Sequence, residues 1–81
     1  MENKIVQALN QAFTGSTVEL NRLSNGRLTG LIVWQGFDDL DSFDRHTLVK
    51  QALIAALGNE ANNVGILFTY TPVEMQAMSA A

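Results

Sequence analysis

The residues of this chain that could do chemistry are few, and they gather around Arg45 and His46. His46 is the sole histidine among 81 residues, and the sequence contains no cysteine. Because a self-sufficient transition-metal site needs several imidazole or thiolate ligands, a lone histidine cannot form one. From residue chemistry alone, we favour a structural histidine that packs against a sheet edge and bonds the backbone. The alternative is a contact point at a partner surface.

Four aspartates immediately precede this pair: Asp38, Asp39, Asp41 and Asp44. Their spacing does not match the twelve-residue calcium loop, which requires a defined alternation of acids and a final glutamate. Acidic residues collect at helix starts because the helix dipole is positive there. We therefore predict a solvated loop and helix start, with Asp41 or Ser42 as the N-cap. Arg45 is expected to pair locally with Asp41, four residues earlier.

The sequence favours a binding module over an enzyme. It has no nucleophile elbow, no glycine-rich phosphate loop and no paired metal ligands, so a small enzyme is the least favoured hypothesis. Five basic residues face eight acidic ones, for a net charge of −3. Such a scattered and acidic balance argues against strong phosphate binding. No signal peptide or membrane-spanning run is visible, so we predict a cytoplasmic protein.

Hydrophobic periodicity predicts helices at 2–13, 43–57 and 72–78 and strands at 16–23, 28–35 and 64–70. Asn25-Gly26 is typical of a hairpin turn. Thr71, Pro72 and Glu74 form a capping-box pattern that starts the last helix. A polar loop at 36–42 and a connection at 59–63, with a short helical turn, complete the chain. The stripe predicted to be buried on the middle helix is Leu48, Val49, Ala52, Leu53, Ala56 and Leu57.

These elements predict one α+β domain over 1–81, a two-layer α/β sandwich with a three-stranded mixed sheet and the order α-β-β-α-β-α. The second strand is apolar on both faces and should be central. In the third strand, alternation places Val64, Ile66, Phe68 and Tyr70 on one face. Trp34 and Tyr70 are predicted in the core or in cross-strand pairs.

The pattern around Arg45 and His46 resembles the signature of the BolA family. Phe37, the Arg45-His46 pair, Val49 and Leu53 follow F-x-G-x-x-x-x-x-R-H-x-x-V-x-x-x-L, with Asp39 in place of the glycine. Further similarity lies in the first helix, at Ser24, and at the strand-to-helix junction 69–74, so the resemblance covers nearly the whole chain. It implies a fold similar to class II KH domains, without their G-x-x-G loop.

The resemblance also implies a role. BolA proteins partner monothiol glutaredoxins and share a bridging two-iron two-sulfur cluster, so we expect an adaptor in iron-sulfur or redox regulation. The alternative is a DNA-binding stress or morphology regulator that acts through the KH-like surface. The partner surface carried over from the family comprises Arg45, His46, Asn25, Gly26, Arg27 and Asn63.

The usual cluster ligands of the family are missing. Asn63 stands where the family has its ligand histidine, and the hairpin loop 25–28 has neither histidine nor cysteine. An amide is a poor iron ligand compared with imidazole or thiolate. Only His46 remains as a metal-binding residue type, so the sequence does not predict cluster ligation in the usual family manner.

Overall fold

The computed structural model describes residues 2–79; Met1, Ala80 and Ala81 of the predicted domain lie outside the described residues. The predicted order of elements is confirmed, with ends that differ by at most two residues. The helices are α1 (Glu2–Ala12), α2 (Ser42–Leu57) and α3 (Pro72–Ser79), and the strands are β1 (Thr17–Arg22), β2 (Leu28–Val33) and β3 (Val64–Tyr70). Short 3₁₀-helices occupy Gln35–Phe37, where the end of the second strand and the start of the loop are predicted, and Gly58–Asn63.

The sheet is mixed and has the order β1-β2-β3, which confirms that the apolar second strand is central. β1 and β2 pair antiparallel, whereas β2 and β3 pair parallel across the α2 crossover. The predicted hairpin turn joins β1 to β2. Gly26 adopts φ 85°, a conformation that glycine tolerates without strain. The side chain of Asn25 accepts a hydrogen bond from the Arg27 amide at 3.0 Å.

The core lies between one face of the sheet and the helices α1 and α2. It contains Ile5, Leu9, Phe13, Leu28, Ile32, Phe37, Val49, Leu53, Val64 and Leu67. Trp34 packs on this cluster, with ring centroids 4.9 Å from Phe13 and 5.2 Å from Phe37. Its indole Nε1 donates to the Thr14 carbonyl at 3.0 Å. The core prediction for Trp34 is therefore confirmed.

The prediction that Val64 shares one face of β3 with Ile66, Phe68 and Tyr70 is wrong for Val64. Val64 is buried, whereas Ile66 and Phe68 are 64% and 53% exposed on the open face of the sheet. The pairing register of β3 shifts opposite the segment 28–30, and this irregularity breaks strict alternation. Tyr70 lies on the open face, where it stacks against Phe68 with a centroid distance of 6.4 Å, and its register partner on β2 is Val33. Of the two alternatives predicted for Tyr70, the cross-strand pair is confirmed and the core position is wrong.

The buried stripe of α2 also differs from the prediction. Leu48 and Ala56 are exposed, while Arg45 joins Val49 and Leu53 on the buried side. These three residues are spaced at i, i+4 and i+8, which places them on one helical face. The helix starts as predicted, because the Asp41 side chain accepts a hydrogen bond from the Asp44 amide at 2.9 Å. No helix within residues 2–79 is long and apolar enough to cross a membrane.

Candidate binding groove between the second helix and the third strand

A groove of about 360 Å³ lies between α2 and β3, and we call it the α2–β3 groove. Its floor is apolar and is formed mainly by Val49, Leu53, Ile54 and Leu67. Its polar lining comes from Arg27, His46, Lys50 and Asn62. The site therefore combines apolar surface with a few polar groups, as ligand and partner sites commonly do.

His46 points to solvent at this groove. The side chain is exposed and makes no hydrogen bond or ion pair within the described part of the chain. The favoured prediction of a backbone-bonded structural histidine is therefore wrong. Lys50, one helical turn later, is likewise exposed and without a partner among residues 2–79. Sequence reasoning missed Lys50, although its i+4 spacing from His46 places both on one helical face.

Arg27 reaches the groove from the hairpin. Its Nη2 donates to the carbonyl of Asn62 at 3.5 Å and to that of Val64 at 3.4 Å. These two bonds hold the guanidinium beside the beginning of β3. Arg27 is far from His46 and Lys50 in the sequence, yet the fold brings all three residues to one site.

The lining of the α2–β3 groove is basic in a chain whose net charge is −3. No acidic residue of the described chain lines it. Two other cations are neutralised elsewhere: Lys4 lies 3.9 Å from Glu60, and Arg45 pairs with Glu74. The positive character of the groove is thus local and not a property of the whole surface.

Arg45 does not belong to this surface, which corrects its predicted role in partner binding. The residue is 8% exposed. Its Nη1 and Nη2 donate to the two carboxylate oxygens of Glu74 at 2.7 and 3.0 Å. Its Nε donates to the Leu40 carbonyl at 2.9 Å, and Nη1 also donates to the Thr69 carbonyl at 3.2 Å. The guanidinium therefore holds the fold together and pairs with Glu74 instead of Asp41.

Glu74 serves two neighbours with one carboxylate. Its Oε1 also accepts from the Thr71 amide at 2.9 Å, while Thr71 Oγ1 accepts from the Glu74 amide at 3.2 Å. This reciprocal pair is the predicted capping box of α3. The hydrogen bonds from Arg45, then those from Thr71, lower the pKa of Glu74 to about 2. The same bond raises the pKa of Arg45 above its usual value.

The other predicted site residues lie next to the groove instead of lining it. Asn25 and Gly26 are exposed at the hairpin turn, just before Arg27. Asn63 ends the second 3₁₀-helix, directly after the groove residue Asn62. The fold thus gathers Arg27 and His46 into one site and places the remaining three at its hairpin end.

The residues at the positions where the BolA resemblance implies cluster ligands do not fit a two-iron two-sulfur cluster. Asn63 offers only an amide, and the loop 25–28 offers no imidazole or thiolate. Within residues 2–79, no group of three or more histidine, cysteine, aspartate or glutamate side chains is placed to hold a metal ion. The described residues therefore supply no set of ligands for such a cluster.

Comparison with known proteins supports the fold. No protein-family model matches the sequence. No curated protein matches it either. Among solved structures, the chain is similar to the crystal structure of a Bol-like protein from Babesia bovis, with a TM-score of 0.69 and 21% sequence identity. The match covers 98% of this chain and 93% of that chain. The chain therefore has the fold of a Bol-like protein, as the sequence resemblance implied.

Proposed function

We propose that this chain is a BolA-like binding module without catalytic activity, and that it acts as an adaptor for a monothiol glutaredoxin in iron-sulfur or redox regulation. One observation carries the proposal: the α2–β3 groove joins an apolar floor to His46 and Lys50, which have no partner within residues 2–79. The Bol-like fold and the signature around Arg45 and His46 support it.

The composition of the groove suits binding and not turnover. Burying its apolar floor stabilises a complex by roughly 25 cal/mol per Å² of apolar surface removed from water. The basic lining orients a partner and selects an acidic surface. The other polar lining residues are Arg27, Lys50 and Asn62, so no hydroxyl, thiol or carboxylate side chain of the described residues lines the groove beside His46.

The glutaredoxin contact in this proposal is a direct contact between proteins. It does not depend on a cluster ligated by this chain, because the family's ligand positions carry unsuitable side chains. The adaptor would then recognise the shape and charge of its partner. The hairpin turn and Asn63 border the same end of the groove and extend the contact surface beyond it.

Titration calorimetry with an apo monothiol glutaredoxin tests the proposal. We expect a complex at tens of micromolar or tighter, weakened by His46→Ala and unchanged by Gln51→Ala, an exposed position on α2 outside the groove lining. Absence of any complex would overturn the glutaredoxin assignment. Anaerobic cluster reconstitution gives a second readout. A visible cluster spectrum lost in His46→Ala would contradict the cluster-independent contact.

Nucleic-acid binding is the second candidate, because Arg27, His46 and Lys50 converge despite their separation in the sequence. Two or three phosphate contacts should give a log–log salt slope of about −2 for DNA affinity. Fluorescence titration of a labelled duplex at low and moderate salt measures this slope. A flat or absent response ends this hypothesis without affecting the glutaredoxin proposal.

A further inference from the structure

The strand β3 lies at one edge of the sheet, so one of its two sides has no neighbouring strand. Its seven residues, VGILFTY, include no charge and no proline. Natural proteins usually protect such an edge with charged residues, proline or a covering element. Here α2 does not cover the edge fully, and the α2–β3 groove opens along the segment 65–67.

The hydrogen bonds show which backbone groups face the groove. The carbonyl of Tyr70 accepts from the Trp34 amide, and the carbonyl of Ile66 accepts from the Thr29 hydroxyl, so the even-numbered residues from Ile66 onward bond towards β2. The carbonyl of Thr69 instead accepts from Arg45 of α2. Beyond the register shift, backbone groups of successive strand residues alternate in direction, so Leu67 presents its amide and carbonyl to the outer edge. The carbonyl of Val64 also faces outward, since it accepts from Arg27, and the Gly65 amide of the same trans peptide therefore faces β2.

The open stretch is bounded at both ends. Arg27 bonds the carbonyl of Val64 at one end, and Arg45 bonds that of Thr69 at the other. Between them, Leu67 offers one donor and one acceptor, the pair that one residue of a neighbouring strand requires. An extended peptide is the ligand whose own backbone matches this pair. A nucleic acid has no such ladder of donors and acceptors.

Charge determines which peptide fits. Arg27, His46 and Lys50 line the groove, and no acidic side chain of the described chain does. A second copy of the chain would bring the charges of Arg27 and Lys50 towards those of the other copy across the edge, which is unfavourable. A segment with acidic side chains gains from both of these charges. Its alternate apolar side chains would pack on the floor beside Leu53 and Ile54.

We propose that the α2–β3 groove binds an acidic, extended peptide segment of a partner protein, which adds as a short fourth strand through the amide and carbonyl of Leu67 in β3. The carboxylates of this segment lie beside Arg27, His46 and Lys50. The proposal goes beyond the adaptor function, since it requires neither a glutaredoxin nor a cluster. It identifies a linear segment, and not only a folded surface, as a ligand of this site.

Fluorescence anisotropy with three labelled octapeptides tests the proposal. The first alternates glutamate with valine, the second replaces each glutamate by lysine, and the third carries N-methyl groups on alternate amides of the acidic sequence. We expect binding of the first only. Charge alone would leave the third peptide bound, whereas strand addition requires its free amides. Equal binding of the lysine peptide, or retained binding of the N-methylated one, overturns the proposal.

Two matched variants locate the peptide. Lys50→Gln and Gln51→Glu change the net charge equally at adjacent exposed positions, but only Lys50 lines the groove. We expect Lys50→Gln to weaken acidic-peptide binding by about threefold, as for one exposed ion pair, and Gln51→Glu to have a smaller effect. Equal effects would show a nonspecific charge response and overturn the site. A dimer of the free chain, closed through β3 in solution, would overturn it as well.

The outcome is separable from the glutaredoxin proposal. If glutaredoxin binds while the acidic peptide does not, the strand-addition site is wrong and the adaptor function stands. If the peptide binds while glutaredoxin does not, the adaptor function is wrong and the peptide site stands. Competition by a single-stranded oligonucleotide that depends on Lys50, together with failure of the peptide, would assign the groove to nucleic acid and overturn this inference.

Discussion

Arg45 and His46 are consecutive in the chain, yet they belong to two different regions of the molecule. Arg45 lies at the α2–α3 junction, defined here by Arg45, Thr71 and Glu74, where its guanidinium donates to a carboxylate and to two backbone carbonyls. His46 faces the α2–β3 groove and has no partner within the described residues. At the junction, the polar groups of the protein bond to one another. In the groove, the side chains of His46 and Lys50 have no partner within the described residues.

The difference between the two regions teaches how a short signature can serve two purposes. A buried charge is tolerated only when its hydrogen bonds are satisfied, so Arg45 must be structural. Exposed cations without partners contribute little to stability, and their free donors remain for another molecule. The junction should therefore respond to substitution with lost stability, and the groove with lost binding.

The largest effect is expected for Arg45→Met. This change keeps the apolar stem but leaves the carbonyls of Leu40 and Thr69 without their donor, which should lower the free energy of unfolding by about 3 kcal/mol. Lys50→Met on the same helix is the matched control, with an expected change within about 0.5 kcal/mol. Urea unfolding followed by Trp34 fluorescence measures both. Similar decreases in the free energy of unfolding of the two variants would contradict the distinction between a structural junction and a binding groove.

Acid should selectively weaken the junction. The pKa of Glu74 is lowered from 4.5 to about 2 in the folded protein. A lowered folded-state pKa contributes stability above the unfolded value, and this contribution is lost as the pH falls from about 4.5 towards 2. The difference in melting temperature between the wild type and Glu74→Gln should therefore shrink over this range. Thermal unfolding between pH 7 and pH 2, monitored by circular dichroism, measures it; a constant difference contradicts the assignment.

A smaller effect is expected for Thr71→Val. The substitution keeps the β-branched shape of a residue that is 2% exposed but removes the hydroxyl that accepts from the Glu74 amide. Loss of an N-cap typically costs about 1 kcal/mol. Chemical unfolding gives this value, and Thr47→Val on the exposed side of α2 serves as the comparison. An unchanged free energy of unfolding would show that the capping box does not contribute to the stability of the junction.

The smallest stability effect is expected for His46→Gln. The side chain is exposed and unbonded within residues 2–79, so the free energy of unfolding should change by less than about 0.5 kcal/mol. Binding of the glutaredoxin or of the acidic peptide should nevertheless weaken, because the imidazole lines the groove. Paired unfolding and binding measurements on one preparation test this. A large loss of stability would move His46 into the structural region.

Local signals in the sequence predicted most of the fold. The capping box at Thr71 to Glu74, the Asn25-Gly26 turn and the Asp41 cap act within a few residues, so their patterns are legible without a structure. The faces of β3 were not predictable in the same way. They depend on a register shift between β2 and β3, which is a property of two strands far apart in the sequence.

Only part of the candidate site was predicted from the sequence. Arg27 and His46 were identified through family resemblance, and helical spacing would have added Lys50. The direction of Arg45 is harder to predict, because its partner Glu74 lies 29 residues away. Its spacing from Val49 and Leu53 is nevertheless a signal, since an arginine in the buried stripe of a helix requires an acidic partner.

The shared carboxylate of Glu74 has a consequence for the order of folding. Arg45 and Glu74 are 29 residues apart. The hydrogen bonds between them, which lie at the beginning of α2, therefore cannot form until the ribosome has released the chain as far as Glu74. The capping of α3, in contrast, involves residues three apart and can form as soon as they emerge. The cap of α3 thus forms from local contacts, and its Glu74 then binds Arg45 of α2. This order makes α3 a late and necessary part of the cooperative unit.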